Sequence, residues 1–138
     1  MAQVKRFGYG LQALILLAMD REQVSSAEMA GKISCEPTAL RKILARLTEA
    51  GIIEVKQGRG GGYRLVKPPS SITLAEVYRS VHEEEPLWDG MLETTGNNLF
   101  GSRVRGSFDK IMSDIQLQVM GVLDSYNLAD MLETEIPY

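Results

Sequence analysis

The sequence predicts a mainly α-helical chain with a small β-wing: a winged helix-turn-helix domain followed by a long C-terminal packing helix. Three observations carry this. Two capped helices follow one another between Ser25 and Gly51, a short ribbon with the tip QGRGGG comes directly after them, and an apolar seam of helical spacing runs from Phe100 to Tyr126. With 138 residues, 44% of them hydrophobic, the chain is long enough for one compact core plus an appended element, and its composition is not that of a disordered segment.

Each element has a local reason. Gly8 to Met19 (GYGLQALILLAM) is apolar nearly all round, which suits a first helix buried between neighbours; Lys5 and Arg6 just before it fit either a phosphate contact or a solvated tail. Ser25 and Glu28 form a capping box and Val24 stands at staple spacing from Met29, so a helix starts at Ser26 and ends near Ile33. Pro37 suits the first position of the next helix, where its missing N–H costs nothing, and Cys35 and Leu40 again stand at staple spacing. Glu36 is an atypical cap residue, and Ser34 is the alternative. Leu40, Ile43, Leu44 and Leu47 fall at i, i+3, i+4 and i+7 and form one buried stripe; Thr38, Arg41, Lys42 and Ala45 face the other way.

Gly51 ends this helix as a left-handed cap. Ile52 to Lys56 and Tyr63 to Val66 then make a hairpin that Pro68 and Pro69 terminate. Thr73 and Glu76 repeat the capping box with Ile72 and Val77 as the staple, which predicts a helix over Leu74 to His82. The acidic, aperiodic stretch HEEEPLWDGMLETTGNN reads as a linker. Beyond it, Val104, Phe108, Ile111, Ile115, Val119, Val122 and Tyr126 recur at spacings of three and four, and a last helical turn, Leu128 to Leu132, is expected beside that long helix. The division that follows is a DNA-binding-type domain over residues 1–82, a linker over 83–99 and a helical extension over 100–138.

Charge separates along the chain although the net charge is only -3. Residues 1–67 carry eleven Lys/Arg against six Asp/Glu, or +5, and residues 68–138 carry four against twelve, or -8. The basic charge therefore sits with the helix-and-ribbon module. The N-terminus lacks the pattern of a secretory signal and the longest apolar run is too short for a bilayer, so the expected location is cytoplasmic, with no membrane partner. The single cysteine, Cys35, excludes an intrachain disulfide and the multi-cysteine metal spacings, so no metal ligands are expected. The single histidine, His82, has no second histidine to pair with, and Glu83, Glu84 and Glu85 are contiguous, hence not convergent. No catalytic constellation emerges, and an enzyme is not expected.

Thr38, Arg41 and Lys42 on one helix face suit a major groove, where an arginine donates two bonds to guanine O6 and N7 and a lysine pairs with phosphate; by itself such a face is also an ordinary solvated one. Arg59, at the tip of the hairpin, suits a minor groove, with Gly60, Gly61 and Gly62 leaving N–H groups for phosphates. A nucleotide-binding glycine loop is disfavoured because the glycines lead into a strand. Cys35 lies where a helix dipole and Arg41 and Lys42 would lower its pKa and make a redox-sensitive thiolate; the plainer role is a small buried hydrophobe. Two competing functions therefore stand beside DNA reading: a winged-helix protein-interaction module, and a thiol switch through Cys35.

The segments YGLQALILLA, PTALRKILARLTEAGII, GRGGGYRLVKP and ITLAEVYRSV, together covering residues 8–82, resemble the Rrf-two family of bacterial winged-helix transcription regulators. The resemblance implies a homodimer held by the long helix, binding a two-fold-related operator on double-stranded DNA and usually repressing transcription. It places Thr38, Arg41 and Lys42 on the face that contacts bases and phosphates, and Arg59 with its glycines on a minor-groove wing. Cluster-binding members carry three cysteines between the wing and the long helix; residues 86–105 here have none, so no iron–sulfur cluster is expected. The effector stays open.

Overall fold

A computed structural model describes residues 2–19, 23–81, 88 and 90–132, with side chains from residue 5 onward. The order is α1 (Ala2–Met19), α2 (Ser26–Lys32), α3 (Pro37–Glu49), β1 (Ile53–Lys56), β2 (Gly62–Leu65), a 3-10 turn (Pro69–Ser71), α4 (Leu74–Val81), α5 (Gly90–Glu93), α6 (Leu99–Asp124) and α7 (Leu128–Leu132). The chain forms two compact units, residues 1–83 with 123–138 and residues 84–122. His82 and Glu83 to Glu85 lie outside the described residues.

The first unit is built around α3. Leu40, Ile43, Leu44 and Leu47 are all buried, in one cluster with Leu14 and Leu17 of α1, Met29 of α2, Val77 and Val81 of α4 and Leu128 of α7. Burial of each such side chain stabilises by about 1.5–3 kcal/mol relative to exposure, so this stripe fixes which face of α3 is left outward. The helix ends in a Schellman arrangement. Gly51 has φ +77, its N–H donates to Thr48 O at 3.0 Å, and Ile52 N–H donates to Leu47 O at 3.1 Å. Both predicted N-caps are present, Ser25 Oγ accepting from Glu28 N–H at 3.1 Å and Thr73 Oγ1 from Glu76 N–H at 3.1 Å, and at Thr73 the box is reciprocal, Thr73 N–H donating to the Glu76 carboxylate at 3.1 Å.

β1 and β2 pair antiparallel with Ile53 opposite Leu65 and Lys56 opposite Gly62. The returning strand has a second neighbour that the sequence did not announce. Val24 and Tyr63 exchange two backbone hydrogen bonds, of 3.1 and 2.8 Å, so the segment leading into α2 forms a bridge to the wing. Gly62 permits this approach, because a Cβ there would lie 2.8 Å from the carbonyl carbon and oxygen of Val24.

Two helices differ from the sequence expectation. α1 begins at Ala2 and not at Gly8, so Lys5 and Arg6 lie on the helix. The reason is long-range: Arg6 Nε donates to Val81 O, one of the carbonyls left over at the end of α4, at 3.3 Å, and Phe7 meets Tyr78 edge-on at 5.5 Å. The last turn, expected beside the long helix, is instead part of the first unit. Asn127 and Asp130 cap each other across α7, Leu128 N–H donates to Ile72 O at 2.9 Å, and Leu128 is fully buried in the core.

In the second unit the expected linker contains the helical turn α5, and α6 is capped by Asn98, whose Oδ1 accepts from Gly101 N–H at 2.7 Å. Arg105 donates twice to Thr95 Oγ1, at 3.0 and 2.8 Å. Gly101 is required here, since a Cβ would fall 1.8 Å from Gly96 O. α6 spans 26 residues, about 39 Å at 1.5 Å per residue. It leaves Ile111 and Val122, three turns apart on one face, 47% and 57% exposed.

Candidate nucleic-acid interface

The outward face of α3 carries Thr38, Arg41, Lys42 and Ala45, all exposed. Arg41 Nη2 donates to Thr38 Oγ1, one turn earlier, at 3.4 Å. The helix starts on Glu36, which resolves the choice between Ser34 and Glu36. Its two carboxylate oxygens accept from Thr38 N–H at 3.1 Å and Ala39 N–H at 3.0 Å, a cap that Ser34 does not make. Those backbone bonds, with smaller help from the Thr38 hydroxyl and the Arg41 charge, hold the Glu36 carboxyl below its usual range despite some desolvation.

This cap changes the reading of Cys35. Its thiol is half-buried and pushed above the ordinary thiol range, first by burial and then by the Glu36 charge, where the sequence suggested a lowered value. Burial disfavours the thiolate first, and the Glu36 anion, already seated at the positive end of α3, adds to that. The Cys35 Sγ–H donates to Glu36 O at 3.6 Å.

At the wing tip, Gly58 to Gly61 form a four-residue turn closed by Gly61 N–H donating to Gly58 O at 3.0 Å. Arg59 takes the first corner and Gly60, at φ +74, the second, a left-handed position suited to glycine. Arg59 is therefore displayed at an exposed apex with no side chain beside it on either flank. The three glycines are not equivalent, as the sequence had them. The Gly61 N–H is used inside the turn and Gly62 is buried against Val24, leaving Gly60 at the exposed tip. Arg64 is paired with Glu54 across the strands, and Lys67 holds Glu76 at 2.6 Å, so these two cations are engaged within the fold.

Sequence reasoning underrated one feature. A groove of about 680 Å³ lies between α1 and α3, lined by Lys5, Arg6, Tyr9, Lys42 and Arg46 together with Glu36 and Glu49. The signal was present only as the pair Lys5 and Arg6, whose placement on a helix was not legible.

A short helix, a second helix with a polar outward face and an arginine-tipped hairpin bridged to the first helix define a winged helix-turn-helix regulator. Residues 4–134 match the Rrf2 family, described as an iron-dependent transcriptional regulator, and the chain belongs to that family. It is 30% identical over 129 residues to the HTH-type transcriptional regulator NsrR of Bacillus subtilis, covering 92% of this chain and 87% of that one. To the HTH-type transcriptional regulator IscR of Cereibacter sphaeroides it is 27% identical over 132 residues, with 93% and 84% covered. The crystal structure of Staphylococcus aureus CymR superposes with a TM-score of 0.71 at 21% identity, over 96% of this chain and 99% of that one, a likeness of fold. These relatives are transcriptional regulators and not enzymes.

The family description raises the fit of iron. Thiolates are the ligands that hold iron–sulfur clusters, and this chain has one cysteine, half-buried beside Glu36, and one histidine, His82. Among the described residues no three His, Cys, Asp or Glu side chains converge on a point. The donor set of a single chain does not fit a cysteine-held cluster. Among the described residues, no helix is long and apolar enough to cross a membrane.

Proposed function

We propose that this protein is a cytoplasmic, sequence-specific DNA-binding repressor that acts as a homodimer on a two-fold-related operator. The observation that carries the reading is the division of α3: four apolar side chains locked in the core, and Thr38, Arg41 and Lys42 left outward beside an exposed arginine-tipped wing. In this reading α3 enters the major groove, Arg41 reads guanine, Lys42 takes phosphate, and Arg59 enters the adjacent minor groove with Gly60 at its side. The apolar face of α6 that includes Ile111 and Val122 pairs with a second copy, which sets two recognition helices about one helical turn of DNA apart. Regulation does not run through an iron–sulfur cluster held by one chain.

Selection of bound fragments from genomic DNA, followed by titration of the selected duplex, tests this. Arg41→Ala should lower affinity by roughly 10- to 100-fold and relax preference at one base pair per half-site. Uniform weakening on every duplex would make Arg41 a phosphate contact, and selection without any enriched, two-fold-related site would overturn the proposal.

A further inference from the structure

The groove between α1 and α3 shares only Thr38 and Lys42 with the contacts assigned so far. Its walls carry Lys5 and Arg6 on one side and Lys42 and Arg46 on the other, against two carboxylates, Glu36 and Glu49. Part of this charge is already committed: Arg6 donates to Val81 O, and the Glu36 carboxylate is bound by two α3 N–H groups. Lys5 and Lys42 are exposed on opposite walls. Lys5 is not on a loose tail. It sits inside α1, next to the arginine that ties that helix to α4, so its ammonium is offered from a fixed backbone.

Lys42 lies one turn beyond Thr38 on α3, so the groove borders the very face assigned to the bases. A helix inserted in a major groove has a sugar–phosphate strand running along its flank, and contacts to that strand set register without carrying sequence information. The cations here are spread along both walls of a trough, an arrangement suited to a polyanionic strand more than to one small anion.

We infer that this groove seats one sugar–phosphate strand of the duplex, with Lys5 a phosphate-contacting residue facing Lys42 from the other wall. The inference rests on the DNA-binding reading and adds a contact from outside the helix-turn-helix and the wing. Each phosphate neutralised contributes a slope of about -0.9 to log K against log salt. Loss of Lys5 from both protomers should therefore make the slope shallower by about 1.8, so that between 50 and 200 mM salt the wild type loses about 12-fold more affinity than the variant.

The experiment is fluorescence anisotropy with the full chain on a duplex of about 30 base pairs, once with the selected site and once scrambled, over that salt range. Lys5→Gln is expected to flatten the slope on both duplexes and leave the order of preference unchanged, and Lys5→Arg to restore it. Lys110→Gln, the same charge change on α6, should leave the slope as it is. An unaltered slope for Lys5→Gln, or an equal flattening by Lys110→Gln, overturns the groove assignment while the DNA-binding reading stands. Wild-type chain that binds neither duplex overturns both.

Discussion

Replacing Gly62 by alanine tests how the wing is held. The new methyl group would stand 2.8 Å from the carbonyl of Val24, and either strand can move away only by breaking the Val24–Tyr63 bridge. That bridge consists of two backbone hydrogen bonds, each worth about 0.5–1.5 kcal/mol net, so the loss is about 1–3 kcal/mol. For a unit of about 100 residues, 1 kcal/mol corresponds to about 4–8 °C, and Gly62→Ala should therefore lower the melting temperature by about 4 to 24 °C. Circular dichroism at 222 nm during heating measures it. Arg59→Ala is the comparison: its side chain is exposed at the tip, so its melting curve should overlay the wild type within about 0.5 kcal/mol while its DNA affinity falls. If Gly62→Ala melts with the wild type, the wing is not clamped by Val24. If Arg59→Ala melts as low as Gly62→Ala, the separation of shape from contact is wrong.

Three further outcomes follow from the same structure. Cys35 should react with iodoacetamide at a rate that climbs with pH to a midpoint above the ordinary thiol value of 9.0; a midpoint near neutrality would revive the thiol-switch reading. Burial works against ionisation of Glu76, but the Lys67 hydrogen bond, the Thr73 N–H and the charges of Lys67 and Arg79 outweigh it and lower its pKa. A depressed folded pKa gives stability that is full above the ordinary carboxyl value of 4.5 and is lost as pH falls through the lowered one, so the gap in denaturation midpoint between wild type and Glu76→Gln should close over that window; a gap independent of pH refutes it. Ile111→Glu with Val122→Glu places charge on the exposed face of α6 and, on the proposed homodimer, should shift the particle from dimer to monomer in light scattering without lowering helix content; a wild type that is already monomeric refutes the pairing.

What the sequence disclosed is local chemistry. Ser25 with Glu28, Thr73 with Glu76, Pro37 and Gly51 mark helix ends because each acts within four residues of itself, and the α3 stripe is legible because a helix repeats. The misjudged features depend on residues far apart in the chain. α1 extends to Ala2 because Arg6 meets Val81, α7 joins the first unit because Leu128 meets Ile72, and Gly62 is a packing residue because Val24 arrives beside it. Of the two roles open to Cys35, the raised thiol pKa, from burial first and the Glu36 charge second, goes with the plainer one.

The return of the chain through Leu128 has a topological result. Residues 84–122 leave one compact body and come back to it, anchored at both roots. A protease nick within that excursion would not release the final segment, because Leu128 stays gripped in the core and Asn127 stays laced to Thr73. The excursion is therefore an insertion within the first unit, whose closing segment belongs to the same core as its opening helices.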